Sequence, residues 1–133
     1  MNTLLRILLF ASFLFLVACE KDKDIILDSE WIASSIRLEN GAATTPDSEY
    51  TLAFENKGSY SLRLDVNLCG GEVSFRRKSV KFRNGMNCTE ACCDSEFALS
   101  LASNLTKSKY WELNANQLVF TDDNGMEIIF VKK

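Results

Sequence analysis

Four cysteines could carry chemistry in this chain: Cys69, Cys88, Cys92 and Cys93, three of them crowded into residues 88–93. Thiols at this density can pair as disulfides, hold a soft ion such as zinc or cuprous copper, or exchange with other thiols. Structural zinc sites usually set ligand pairs two to four residues apart on two separate knuckles and often recruit histidine. Here the second knuckle is missing, and the 133 residues contain no histidine at all. Thiol exchange of the thioredoxin type needs Cys-x-x-Cys beside a βαβ unit, and neither occurs. The expectation is therefore a disulfide framework with no metal and no cofactor. Four cysteines allow three connectivities. Joining the adjacent Cys92 and Cys93 would close a strained vicinal ring, which leaves two arrangements.

The missing imidazole reaches further. Ser-His-Asp and Cys-His machinery depends on a base poised near neutral pH. Glu30, Glu49, Glu55, Asp65, Glu72 and Glu96 fall at surface positions or element ends, with no visible pairing. Asp122-Asp123-Asn124-Gly125 lacks the alternating ligands and distal Glu of a calcium loop and reads as a turn. No phosphate-cradling glycine loop or His-Glu-x-x-His segment is present. No catalytic residue, and hence no enzyme, is expected. Arg76, Arg77, Lys78, Lys81 and Arg83 form the densest charge, a strip able to meet anionic lipid or an envelope protein, or to guard a sheet edge. The whole chain carries a net charge of −3, so nucleic acid is not an expected partner.

These residues are positioned by two kinds of segment. Met1 to Cys19 has one cation, Arg6, an apolar stretch from Ile7 to Val17, and the ending Leu16-Val17-Ala18-Cys19. It resembles a bacterial lipoprotein signal, being too short and too interrupted for a membrane span. The resemblance implies cleavage after residue 18, acylation of Cys19 and anchoring to a membrane of the bacterial cell envelope. The outer membrane, on its periplasmic or surface face, is the expected address. Residues 19–27 then form the lipidated cysteine and a charged tether, beginning Glu20-Lys21-Asp22-Lys23-Asp24, similar to segments that send some Bacteroidota lipoproteins to the cell surface.

Residues 28–133 are expected to form one domain, since little more than a hundred residues hold one core. Its pattern is mostly period two, the signature of antiparallel strands with one wet face. Tyr50, Leu52 and Phe54 alternate before Asn56-Lys57-Gly58, and Tyr60, Leu62, Leu64 and Val66 after it. Val73 and Phe75 are mirrored by Val80 and Phe82 across Arg76-Arg77-Lys78, and Leu118 and Phe120 by Met126, Ile128 and Phe130 across Asn124-Gly125. One segment departs from this period. Phe97, Ala98, Leu101 and Leu105 form a helical stripe, with Asp94 as its expected cap, so a single helix is predicted over residues 95–104. Residues 39–48 are the expected mobile loop.

Several landmarks have a familiar order. Trp31, the segment YTLAFENKGSYSL from Tyr50, Asn67-Leu68-Cys69-Gly70-Gly71, Thr89-Glu90-Ala91-Cys92-Cys93, Leu101, Tyr110 and a closing LVF resemble the META domain family over about residues 28–131. That family includes the HslJ-type heat-shock lipoproteins. The resemblance implies a β-rich α+β fold: a small, antiparallel, partly closed β-barrel with one short helix, braced by disulfides and without known catalytic activity. Ala91 and Cys92 stand where the family has Met and Ala, so the Thr-to-Cys spacing makes Cys93 the family cysteine. The resemblance thus implies bridges Cys69–Cys93 and Cys88–Cys92. The expected role is non-catalytic work in envelope maintenance or stress response, with ligand or soft-metal binding as the alternative and thiol oxidoreduction behind it.

Overall fold

Alternation becomes nine antiparallel strands in the computed structural model, which describes residues 21–55 and 58–133. The expected signal peptide over 1–18, Cys19 and Glu20 of the expected tether, and residues 56 and 57 of the expected hairpin turn lie outside the described residues. Strands β3 (Thr51–Glu55) and β4 (Ser59–Arg63) set Leu52 against Leu62 and Phe54 against Tyr60. Strands β5 (Leu68–Arg76) and β6 (Ser79–Cys88) turn through Arg77 and Lys78. Strands β8 (Gln117–Thr121) and β9 (Glu127–Lys132) set Leu118 against Phe130 and Phe120 against Ile128. A further hairpin joins β7 (Tyr110–Asn114) to β8 and lays Trp111 against Phe120.

Closure comes from β1 (Glu30–Arg37). Its first residues pair with β3, while Trp31 to Arg37 pair with β9, so the first long strand meets the last. On the opposite side β6 and β7 share one register pair, Ser79 with Tyr110. The result is the partly closed barrel that the family resemblance implied. Strand β2 (Ala43–Thr44) pairs with Ile36 and Arg37, giving the loop expected over 39–48 a short strand of its own.

The inward faces of the strands fill the barrel. Trp31, Leu52, Leu62, Leu118, Phe120, Ile128 and Phe130 are fully buried, each contributing about 1.5–3 kcal/mol by leaving water. Phe120 meets Phe130 and Phe82 edge-on, and Phe82 meets Tyr60 in the same way. Helix α2 (Glu96–Leu105) adds Ala98, Leu101 and Leu105 to this core, as its stripe predicts.

Three expectations need correction. Residues 21–27 form a helix, α1, so α2 is not the only one, and the folded unit takes in part of the predicted tether. Ile26 is fully buried and its carbonyl accepts a 3.1 Å hydrogen bond from the Trp31 indole Nε1; an apolar residue next to the barrel gains more from packing than from solvation. The cap of α2 is Ser95, whose hydroxyl accepts from the Ala98 N–H, because the Asp94 carboxylate is engaged elsewhere. Val66 is half-exposed rather than inward: β4 ends at Arg63, and the turn that follows buries Asn67 instead.

Candidate functional site

All four domain cysteines gather at one corner, where the β4–β5 turn meets the segment between β6 and α2. The predicted bridges Cys69–Cys93 and Cys88–Cys92 are not formed. Cys69 pairs with Cys88, and Cys92 with Cys93. The reason is register: β5 and β6 place Cys69 directly opposite Cys88, with Cα atoms 4.0 Å apart. That match leaves Cys92 and Cys93 only each other, the connectivity the sequence argument discarded. Cys69 is buried, whereas Cys88, Cys92 and Cys93 are exposed.

A polar cluster holds the segment carrying Cys92 and Cys93. Asn67 is its centre. Its side-chain oxygen accepts from the Thr89 hydroxyl at 2.8 Å and the Ala91 N–H at 2.9 Å, and its amide nitrogen donates to the Ala91 carbonyl and to Asp94. Asp94 Oδ1 accepts from the backbone N–H groups of Val66 and Asn67. Beside it Asp65 accepts from the Tyr50 hydroxyl and the Ser95 N–H, both at 2.9 Å, and Tyr50 also meets the Ser95 hydroxyl. The Tyr50 ring stacks on Phe97 of α2.

The charges follow from these bonds. The Ser95 backbone N–H, then the Ser95 and Tyr50 hydroxyls, hold the Asp65 carboxyl below its ordinary range, against some desolvation. Desolvation pushes Asp94 upward, but the donors from Val66 and Asn67 together outweigh it, and the net shift is down. Burial pushes the Tyr50 phenol up, with Asp65 adding to the rise. Both carboxylates are thus held ionised as acceptors, which suits bracing.

Gly70 and Gly71 serve close approach. A Cβ on Gly70 would lie 2.7 Å from the Tyr60 carbonyl oxygen, and one on Gly71 2.8 Å from that of Gly85. Only glycine lets β4 and β6 draw in around β5 here. The adjoining β-bulge shifts the β5–β6 register between Gly70 and Glu72.

The basic strip lies along the same hairpin. Arg76, Arg77, Lys78, Lys81 and Arg83 are all exposed, and the Lys78 ammonium sits 5.2 Å from the centre of the Trp111 ring. Alongside it an open cleft of about 850 Å³ runs between β6 and the chain beyond α2, lined by Val80, Lys81, Phe82, Lys107, Lys109 and Asp123 among others. Lys109 and Asp123 form an ion pair across it. The strip and the cysteine corner therefore occupy opposite ends of one hairpin. The strip was evident from residue types alone. The Asn67 cluster and the cleft were missed; the sequence hint was a lone Asn just before Cys-Gly-Gly.

Among the described residues, no helix is long and apolar enough to cross a membrane. A family model described as META domain matches residues 24–133. No curated protein matches the chain. Solved structures of similar fold include the following two. A protein from Burkholderia xenovorans, solved by NMR, is 17% identical over 83% of this chain and 85% of its own, with a TM-score of 0.66. A duf4847 family protein from Bacteroides vulgatus ATCC 8482 is 11% identical over 82% of this chain and 95% of its own, with a TM-score of 0.63. At these identities the likeness is one of fold.

Proposed function

The chain belongs to the META domain family, and from that premise we propose that it is a lipid-anchored protein of the bacterial cell envelope. Its barrel acts without catalysis, in envelope maintenance or in the response to envelope stress. The observation that carries the non-catalytic reading is the engagement of its reactive groups. The four domain cysteines are spent in bridges, and Asp65 and Asp94 accept backbone and side-chain donors that hold loops together. In a chain without histidine, that leaves the corner as a brace. The anchoring reading rests on Leu16-Val17-Ala18-Cys19 and on the short distance from Cys19 to a domain that is already folded at residue 21. An acylated cysteine carrying two or more chains gives stable membrane attachment.

Labelling cells with radioactive palmitate tests the anchor. Cys19→Ser should abolish the label and leave the precursor uncut; label that survives would refute the assignment. Role is tested by deletion. Loss of the protein should sensitise cells to heat, detergent or envelope-acting drugs, and an unanchored copy, exported behind an ordinary cleavable signal in place of residues 1–19, should fail to rescue them. Full rescue by that copy would argue for a diffusible role.

The exposed position of Cys92 and Cys93 favours one second reading, a carrier of soft metal ions that works when that pair is reduced. Counting free thiols in protein taken from the envelope separates the two readings. None supports the brace, and metal-protected thiols support the carrier. A thiol oxidoreductase would instead turn over in an insulin-reduction assay and lose that turnover with Cys92→Ser.

A further inference from the structure

Antiparallel pairing aims alternate residues of a strand toward opposite neighbours. Along β6, the Val80 N–H points away from β5 and donates to the Lys109 carbonyl at 2.9 Å. Phe82, two residues on, therefore turns its N–H and C=O to the same outer side. There the pairing with β7 has already ended, at Ser79. Val80, Lys81 and Phe82 line the open cleft at this point, so the groove runs alongside the stretch where the pairing has ended. An unpaired strand edge beside an open groove is a template for another strand.

The surrounding charge selects the sign of that strand. Residues 76–83 hold five cations and no acid in a chain whose overall charge is negative. Among the described residues Lys81, Arg83 and Lys107 form no ion pair, whereas the acids of the cleft are already committed. Asp123 holds Lys109 and the Tyr110 hydroxyl, and Asp122 accepts from the N–H groups of Asn124 and Met126.

We propose that the outer edge of β6 around Phe82, from Lys81 to Arg83, is a docking strand for an extended acidic segment of a partner protein. The segment pairs its main chain with Phe82 and sets its carboxylates against Lys81, Arg83 and Lys107. A lipid surface would use the cations but leave the ladder groups unmatched, and so fits the site less well.

The test uses the full chain, isotopically labelled, in zwitterionic detergent micelles. The probe is a capped eight-residue peptide alternating Glu and Val. It should slow hydrogen exchange at the Phe82 amide by about tenfold or more, and Lys81→Glu with Lys107→Glu should weaken its binding by a similar factor. A fully N-methylated version keeps every carboxylate but cannot donate to a ladder, and it should not bind. Equal binding by that version, or by the alternating Lys and Val peptide, would overturn the proposal. So would protection of the Phe82 amide by phosphatidylglycerol vesicles without peptide, which would mark a lipid surface. Protection that rises with the concentration of the chain alone would mark a second copy as the occupant, and would equally overturn it.

Discussion

The two sides of the barrel hold themselves together by different physics. Where β1 meets β9, register pairs run from Trp31 to Arg37, and the inward residues Ala33, Ile36, Ile128 and Phe130 are buried. No disulfide and no buried polar side chain is needed there. Where β6 meets β7 there is one register pair. The chain near that opening relies instead on the Cys69–Cys88 bridge, the buried Asn67 and the acceptors Asp65 and Asp94. A sheet that closes completely removes its edges and stabilises itself through burial. One that stops short must be tied down locally, and it keeps an edge free for use.

The largest expected effect is therefore at the bridge. Cys69→Ala with Cys88→Ala should destabilise the domain by about 3 kcal/mol on the chain-entropy account for a loop of this size, read from urea unfolding without reductant. A loss under about 1 kcal/mol would mean that β5–β6 pairing alone holds the corner. Next is Asn67→Ala, which strips partners from Thr89 and from the Ala91 N–H. It should cost about 2 kcal/mol, and it should raise the accessibility of Cys92 and Cys93 to reductant. A variant equally stable and equally resistant would show that the cluster is not the brace.

Acid should distinguish the two sides as well. Asp65 and Asp94 titrate lower in the folded chain than their ordinary value of 3.8. Their contribution is thus complete above about pH 4 and is lost as pH falls through their lower folded values. Unfolding midpoints should drop below about pH 4, with resonances of residues 89–95 shifting before those of β1 and β9. Asp94→Asn should flatten that drop; an unchanged acid profile would assign the acid sensitivity elsewhere.

Legibility follows the same division. Tyr50, Leu52, Phe54, Leu118, Phe120 and Ile128 could be placed inward because alternation is a local property, carried by each hairpin alone. The stripe of α2 could be read for the same reason. Disulfide pairing was hidden, because it depends on the register of β5 against β6 and on a bulge at Gly70 and Glu72, neither of which one strand announces. The bracing role of Asn67 was hidden too, although the residue stood among the family landmarks, since its value lies in partners more than twenty residues away. The META resemblance supplied the barrel, which alternation alone does not, yet the family spacing misled the pairing of Cys93.

Smaller effects sharpen the contrast within the barrel. Gly125 sits at φ +91 in the β8–β9 turn, so Gly125→Ala should cost about 1 kcal/mol, from strain rather than from lost packing. The smallest change should come at Tyr60, whose hydroxyl is buried without a partner and whose phenol is pushed up to about 12 by burial. Removing that oxygen relieves an unmet desolvation cost. Tyr60→Phe should be neutral, or stabilising by up to about 1 kcal/mol in thermal unfolding; a clear loss would reveal a bond to the hydroxyl.

Residue-resolved native-state hydrogen exchange, on the oxidised chain without any partner, tests the division between closed and open sides most directly. The amides of Ile128 and Phe130 should exchange only through global unfolding, because their strand is paired on both sides. The Phe82 amide should exchange at least about a thousandfold faster. Equal protection of Phe82 and Ile128 would contradict the account, since it would mean that the β6 side is closed and that no edge is left free.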